Sequence, residues 1–81
     1  MSVKINFPKS GMGIEEGLVV RWYKSVGQLV HEGEVLIEIE TVKALQEVLA
    51  PASGQLVEIA VPEGATALVN STLGTIAPSE S

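Results

Sequence analysis

The residue in this chain best placed to do chemistry is Lys43, which stands alone between two apolar, strand-like runs, Val35–Ile39 and Ala44–Leu49. By itself a lone lysine is an ordinary solvated charge whose stem lies along apolar surface. The other candidates do not assemble into a catalytic set. His31 is the only histidine, the chain has no cysteine, and all ten acidic residues are glutamates, so no Ser/His/Asp triad can be built. His31 sits beside Glu32 and Gly33 and reads as a surface turn residue. Glu38 and Glu40 alternate on one strand, the spacing of paired carboxylates and equally of a solvated strand face. Gly11-Met12-Gly13 is no phosphate loop, because neither GxGxxG after a strand nor a following P-loop lysine is present. The chain reads as something other enzymes act upon.

The elements around Lys43 are short. Gly and Pro punctuate the sequence from Pro8 to Gly74, and the segments between them are rich in β-branched residues: Val3–Phe7, Leu18–Tyr23, Val35–Ile39 and Leu56–Val61. This pattern predicts an all-β fold with many turns. Residues 34–50 hold no Gly or Pro, and Ala44–Leu49 has helical propensity. Two strands are favoured because Val35, Ile37, Ile39, Thr41 and Val42 are all β-branched. No Asn-Gly or Asp-Gly announces a turn at Val42-Lys43.

A gapless shift of 37 residues aligns Gly17 with Gly54, Val20 with Val57, Gly27 with Gly64, Leu36 with Leu73 and Ile39 with Ile76. At the same shift Gly33 meets Asn70, and Asn is the residue that best replaces Gly at positive φ. Two similar halves predict pseudo-twofold symmetry, each half burying its apolar face against the other.

The size fits one small domain. A chain of 81 residues buries only about 60% of its unfolded surface. Without cysteine neither a disulfide nor a thiolate metal site can staple it. Hydrophobic residues make up 46%, and Phe7, Trp22 and Tyr23 are the only aromatics, so the core is expected to be aliphatic with Trp22 inside it. The net charge of −5 argues against a nucleic-acid partner and against an anionic membrane surface. The sequence has no 18-residue apolar run and no targeting signal, so cytoplasmic residence is expected.

The pattern Phe7-Pro8-Lys9-Ser10-Gly11-Met12-Gly13-Ile14-Glu15-Glu16-Gly17, then Trp22, Gly27, Gly33, Glu40-Thr41-Val42-Lys43-Ala44, Pro51, Gly54 and Val61-Pro62-Glu63-Gly64 resembles the lipoyl domain of 2-oxo acid dehydrogenase acyltransferases over nearly the whole chain. The resemblance implies a flattened barrel or sandwich of two four-stranded sheets, with Lys43 on a hairpin at the end opposite the termini. It assigns residues 1–77 to the carrier domain and 78–81 to a flexible tail, the stretch from Ala77 onward being expected to fray. It implies lipoic acid in amide linkage to Lys43, on a domain that is monomeric and not itself an enzyme. Glu40 and Gly27 match the glutamate three before and the glycine sixteen before the modified lysine, positions associated with lipoylation; Gly27 also reads as a plain turn residue. Ser10–Glu16, with Gly11 and Met12, matches a surface loop near the hairpin that helps a decarboxylase recognise its domain. The implied partners are a lipoate ligase or transferase, a thiamine-dependent dehydrogenase, an acyltransferase core and dihydrolipoyl dehydrogenase.

The tip departs from the family's usual Asp-Lys-Ala. Val42 before the lysine leans toward the Met-Lys-Met of biotin domains, which leaves a biotin carboxyl carrier as an alternative. Glu-Thr-Val-Lys-Ala also resembles the Glu-Ser-Val-Lys-Ala of the lipoylated glycine-cleavage hydrogen carrier. Ala44 and the Ser10–Glu16 loop count against biotin. A third reading is an unmodified lipoyl-like module that serves only in interaction.

Overall fold

In a computed structural model, which describes residues 2–7 and 15–78, the described residues form eight strands and no helix. They are β1 (Val3–Asn6), β2 (Glu16–Trp22), β3 (Leu29–Val30), β4 (Val35–Glu40), β5 (Leu45–Leu49), β6 (Gly54–Ile59), β7 (Thr66–Leu68) and β8 (Thr72–Pro78). Two four-stranded antiparallel sheets result, in the orders β1-β8-β6-β3 and β5-β4-β2-β7. The all-β sandwich expected from the sequence is therefore the fold. Residues 34–50 are two strands joined by a hairpin, which settles the helix question in favour of the β-branched pattern.

The core lies between the sheets and is aliphatic apart from Phe7. Val19, Leu36, Ile37, Ile39, Leu56, Leu73 and Ile76 have no solvent exposure. Burying each such side chain contributes about 1.5–3 kcal/mol. Trp22 departs from expectation: it is half-buried and packs against the core from its rim. Its indole Nε1–H needs a partner, and donates to the Val61 carbonyl at 2.8 Å.

The repeat is written into the ladder register. Val19 pairs with Ile39, and Leu56 pairs with Ile76; the register then slips at Val20 in the first sheet and at Val57 in the second. Each partner of these pairs, and each bulge, is related by the same 37-residue shift. The four described residues with positive φ obey it too: Gly27 (99°) with Gly64 (87°), and Gly33 (88°) with Asn70 (68°). Gly17 and Gly54 are a matched pair for another reason. A Cβ on Gly17 would stand 2.3 Å from Ile39 Cγ2, and one on Gly54 would stand 2.1 Å from the Ala77 carbonyl oxygen.

β1 breaks the shift. Lys4 of β1 lies opposite Thr75 as Glu47 of β5 lies opposite Glu38, so β1 matches β5 at 43 residues. The β1–β2 connection is thus six residues longer than its counterpart. That surplus falls between Phe7 and Glu16, a connection whose residues 8–14, the predicted Gly11 and Met12 among them, lie outside the described residues. The loop's described ends are tied to one segment: Asn70 N–H donates to the Phe7 carbonyl at 3.1 Å, and Val69 N–H to the Glu15 carbonyl at 2.9 Å.

Three strands escape the reading of apolar runs. β3 and β7 are only two and three residues long, and β8 is interrupted by Gly74 and two threonines. Ala77 and Pro78, the start of the stretch expected to fray, belong to β8 and pair with Gln55 and Gly54.

Candidate functional site

β4 and β5 pair from Val35↔Leu49 to Glu40↔Leu45, which leaves Thr41-Val42-Lys43-Ala44 as the connecting turn. Among the described residues Asn70 is the one non-glycine with positive φ. Val42 and Lys43 therefore keep ordinary backbone angles, and the turn is not of the primed type that Asn-Gly would give. Thr41 supplies the missing turn chemistry. Its N–H donates to the Ala44 carbonyl at 2.9 Å, and its hydroxyl donates to the same carbonyl at 2.9 Å. The hydroxyl oxygen in turn accepts from Ala44 N–H at 3.2 Å and from Lys43 N–H at 3.3 Å. One side chain thus clamps both sides of the tip, the local role that Ser and Thr play in turns. Sequence reasoning passed Thr41 over; its hydroxyl three residues before Ala44 was the available signal.

Lys43 is exposed at this tip, and Val42 beside it is 88% exposed, the highest value of any large apolar side chain described. A valine so placed packs little, so its apolar character is not a demand of the core. Ala44 and Glu40 are exposed as well. Beside the hairpin lies a cleft of about 330 Å³, lined by Glu16, Gly17, Leu18, Glu40, Thr41, Val42 and Thr66. Glu16, the first residue of β2, lines this cleft beside the lysine hairpin.

Other predicted residues stand apart from the tip. Gly27 lies in the β2–β3 turn, where its N–H donates to the Leu56 carbonyl of the opposite sheet at 2.7 Å. Gly64 mirrors it on Val19, at 2.8 Å. The structure thus gives Gly27 a turn role and does not bring it to Lys43. His31 and Glu34 close the β3–β4 turn, His31 N–H donating to Glu34 Oε1 at 3.0 Å. That bond, and then Lys24 Nζ at 3.1 Å from the same carboxylate, hold the Glu34 carboxyl below the usual carboxylate range. Glu38 shares an outer sheet face with Glu40 and accepts from the Tyr23 hydroxyl at 2.5 Å. The bond to Glu38 pushes the Tyr23 hydroxyl pKa up, and the Arg21 guanidinium lies 4.8 Å over its ring. Glu38 is thus engaged by Tyr23, while Glu40 is exposed on the same strand face. Among the described residues no group of three or more His, Cys, Asp or Glu could hold a metal ion. None of the described residues forms a helix long and apolar enough to cross a membrane.

The geometry is that of a lysine exposed at the tip of a β-hairpin on a two-sheet sandwich. The profile of the family described as "Biotin-requiring enzyme", which covers biotinyl and lipoyl attachment domains, matches residues 3–76. The chain belongs to this family. Its sequence is 40% identical over 76 residues to the dihydrolipoyllysine-residue succinyltransferase component of the 2-oxoglutarate dehydrogenase complex of Rickettsia typhi, covering 94% of this chain and 19% of that protein. It is 34% identical over 73 residues to the dihydrolipoyllysine-residue acetyltransferase component of the pyruvate dehydrogenase complex of Staphylococcus aureus strain Mu50, covering 90% of this chain and 17% of the relative. The chain thus spans about a fifth of the length of these relatives. The solution structure of the lipoyl domain of the 2-oxoglutarate dehydrogenase complex from Azotobacter vinelandii matches with a TM-score of 0.73 and 35% identity, over 94% of this chain and 99% of that one. A long-chain acyl-CoA carboxylase shares the fold, with a TM-score of 0.78 at 18% identity, over 99% of this chain and 7% of its own.

Proposed function

We propose that this domain is a lipoyl carrier, in which Lys43 holds lipoic acid in amide linkage and moves acyl groups and reducing equivalents between the active sites of a 2-oxo acid dehydrogenase-type complex. The observation that carries this reading is the exposure of Lys43 at the tip clamped by Thr41. The side chains around it fit the group: nothing of the core has to move for Nζ to be acylated, and the resulting arm leaves the surface at the end of a hairpin. The dithiolane of the arm supplies the redox and acyl chemistry. The chain's own part is presentation. β4 and β5 fix the direction of the arm, Thr41 fixes the tip, and the sandwich keeps the arm's root rigid. The domain performs no chemical step itself.

The partners follow from the role: a lipoate ligase or transferase, a thiamine-dependent decarboxylating dehydrogenase, an acyltransferase core and dihydrolipoyl dehydrogenase. The domain acts as a monomer and in the cytoplasm. Support comes from the dehydrogenase-complex relatives and from the resemblance of the Ser10–Glu16 segment to the loop of lipoyl domains, which counts against biotin. The test is the intact mass of the chain made in cells fed lipoate and supplied with a lipoate ligase. One lipoyl increment is expected, and Lys43→Arg removes it. A biotin increment, or no increment with a competent ligase present, contradicts the proposal.

A further inference from the structure

The pseudo-twofold symmetry provides an internal control for the surface around Lys43. Each outward position on the hairpin's sheet has a counterpart on the other sheet, where the same scaffold is built with a different side chain. Leu45, Glu40, Leu18 and Thr66 stand opposite one another in a row across β5, β4, β2 and β7. Leu68 stands opposite Glu16 in the next row. Leu18, Leu45 and Leu68 are 38%, 54% and 60% exposed. At the 37-residue shift Leu18 corresponds to Gln55, Leu68 to His31, Glu16 to Ser53 and Glu40 to Ala77; at the 43-residue shift of the edge strand Leu45 corresponds to Ser2. Thr66, which corresponds to Leu29, is the one position of the row where a leucine lies on the other sheet. The fold therefore does not require these leucines or these carboxylates. They are gathered at the end of the molecule that carries Lys43, around the cleft that Glu16, Leu18 and Glu40 line.

Three exposed leucines flanked by two carboxylates fit an apolar protein surface bearing Lys or Arg at its edge. Two kinds of enzyme would approach this end. One works on a finished arm and meets the dithiolane at its far end. One that attaches the arm must reach Nζ itself: the C–N bond forms as the bond from the acyl carbon to its activating phosphate breaks, and the lysine ammonium gives up two protons to solvent. Only four methylenes separate Nζ from the backbone, so the attaching enzyme must cover the strands beside the tip.

Resting on the carrier reading of Lys43, we propose that Leu18, Leu45 and Leu68, with Glu16 and Glu40, form the docking surface for the arm-attaching ligase, whose matching surface is apolar with cationic residues at its rim. The experiment uses the full chain in its unmodified form with purified lipoate ligase, lipoate and ATP, and follows initial rates by mass. A triple variant, Leu18→Gln with Leu45→Ser and Leu68→His, installs the side chains that the symmetric positions already carry. It is expected to keep the wild-type melting transition and to lose about tenfold in kcat/KM, mainly through KM. Glu16→Lys alone is expected to raise KM and to flatten its dependence on salt, and it serves if the triple variant does not fold. The reciprocal change on the other sheet, His31→Leu, is expected to leave the rate unchanged. Wild-type rates for the folded triple variant and for Glu16→Lys would overturn the proposal. So would normal attachment combined with impaired acylation by a thiamine-dependent dehydrogenase, which would give the face to that enzyme instead. Failure of the carrier reading looks different: the wild-type chain itself would gain no lipoyl group.

Discussion

Thr41 carries the local argument at the scale of single residues. Removing its hydroxyl while keeping β-branching, by Thr41→Val, deletes the clamp on Ala44 and is expected to cost about 1 kcal/mol in urea unfolding. The same change should slow attachment at Lys43, and Thr41→Ser should restore most of both. Lys43 itself is exposed, so Lys43→Ala should shift stability by no more than about 0.5 kcal/mol. A larger loss would make the lysine a structural residue. Val42, 88% exposed, imposes no packing demand. Val42→Asp should leave both the fold and lipoate attachment largely intact, whereas Val42→Met with Ala44→Met should raise modification by a biotin ligase. Glu34 gives the pH prediction. Its carboxyl pKa is lowered from the ordinary value of 4.5 by the His31 N–H and by Lys24. A lowered carboxylate contributes stability above the unfolded value and loses it as pH falls through the folded one. Glu34→Gln should therefore lessen the loss of stability below about pH 4.5 and leave the slope near neutrality unchanged.

Among the elements, the close approach of strands at Gly17 and Gly54 separates two kinds of crowding. A methyl on Gly17 meets side-chain atoms of Ile39 and Phe7, which must shift within the packed core, while one on Gly54 meets the backbone of Ala77, which cannot move without disturbing β8. Both alanine variants should destabilise by about 1–3 kcal/mol or more, with Gly54→Ala the worse. Comparison of their thermal midpoints checks the order. The elements also show what a sequence can and cannot disclose. β1, β2, β4 and β6 were legible because β-branched residues lie there between turn residues, whereas β5, with Val48 as its one β-branched residue, was read as a strand only through its neighbour β4. β3 and β7 were not, because two or three residues carry no period, and β8 was hidden by Gly74 among threonines. The hairpin at Val42-Lys43 was placed by resemblance alone. Its turn chemistry resides in a threonine hydroxyl and not in a backbone that favours positive φ.

For the whole molecule, the repeat proved the most informative sequence signal. Its pairing of Gly33 with Asn70 marked two of the four residues at positive φ, and its shift reproduces the ladder register of both sheets. The shift could not reveal that β1 follows a different offset, since the six surplus residues lie in a glycine-rich connection without apolar period. Symmetry builds the scaffold, and departures from symmetry mark the functional end: the long loop, the lysine hairpin, and the leucines and carboxylates beside it. Trp22 lies at the rim of this scaffold and ties β2 to Val61. Trp22→Phe should cost about 1 kcal/mol through the lost hydrogen bond, well short of the loss expected on truncating a fully buried residue such as Leu36.

The central claim is that this fold presents one lysine out of four for covalent loading. Lys4, Lys9, Lys24 and Lys43 all carry the same amine. The most direct measurement is fragment mass analysis of the chain after complete reaction with lipoate ligase, locating the added group among the four. The account predicts a single lipoyl group, on Lys43 alone. A group spread over several lysines, or placed on any of the other three, would contradict it.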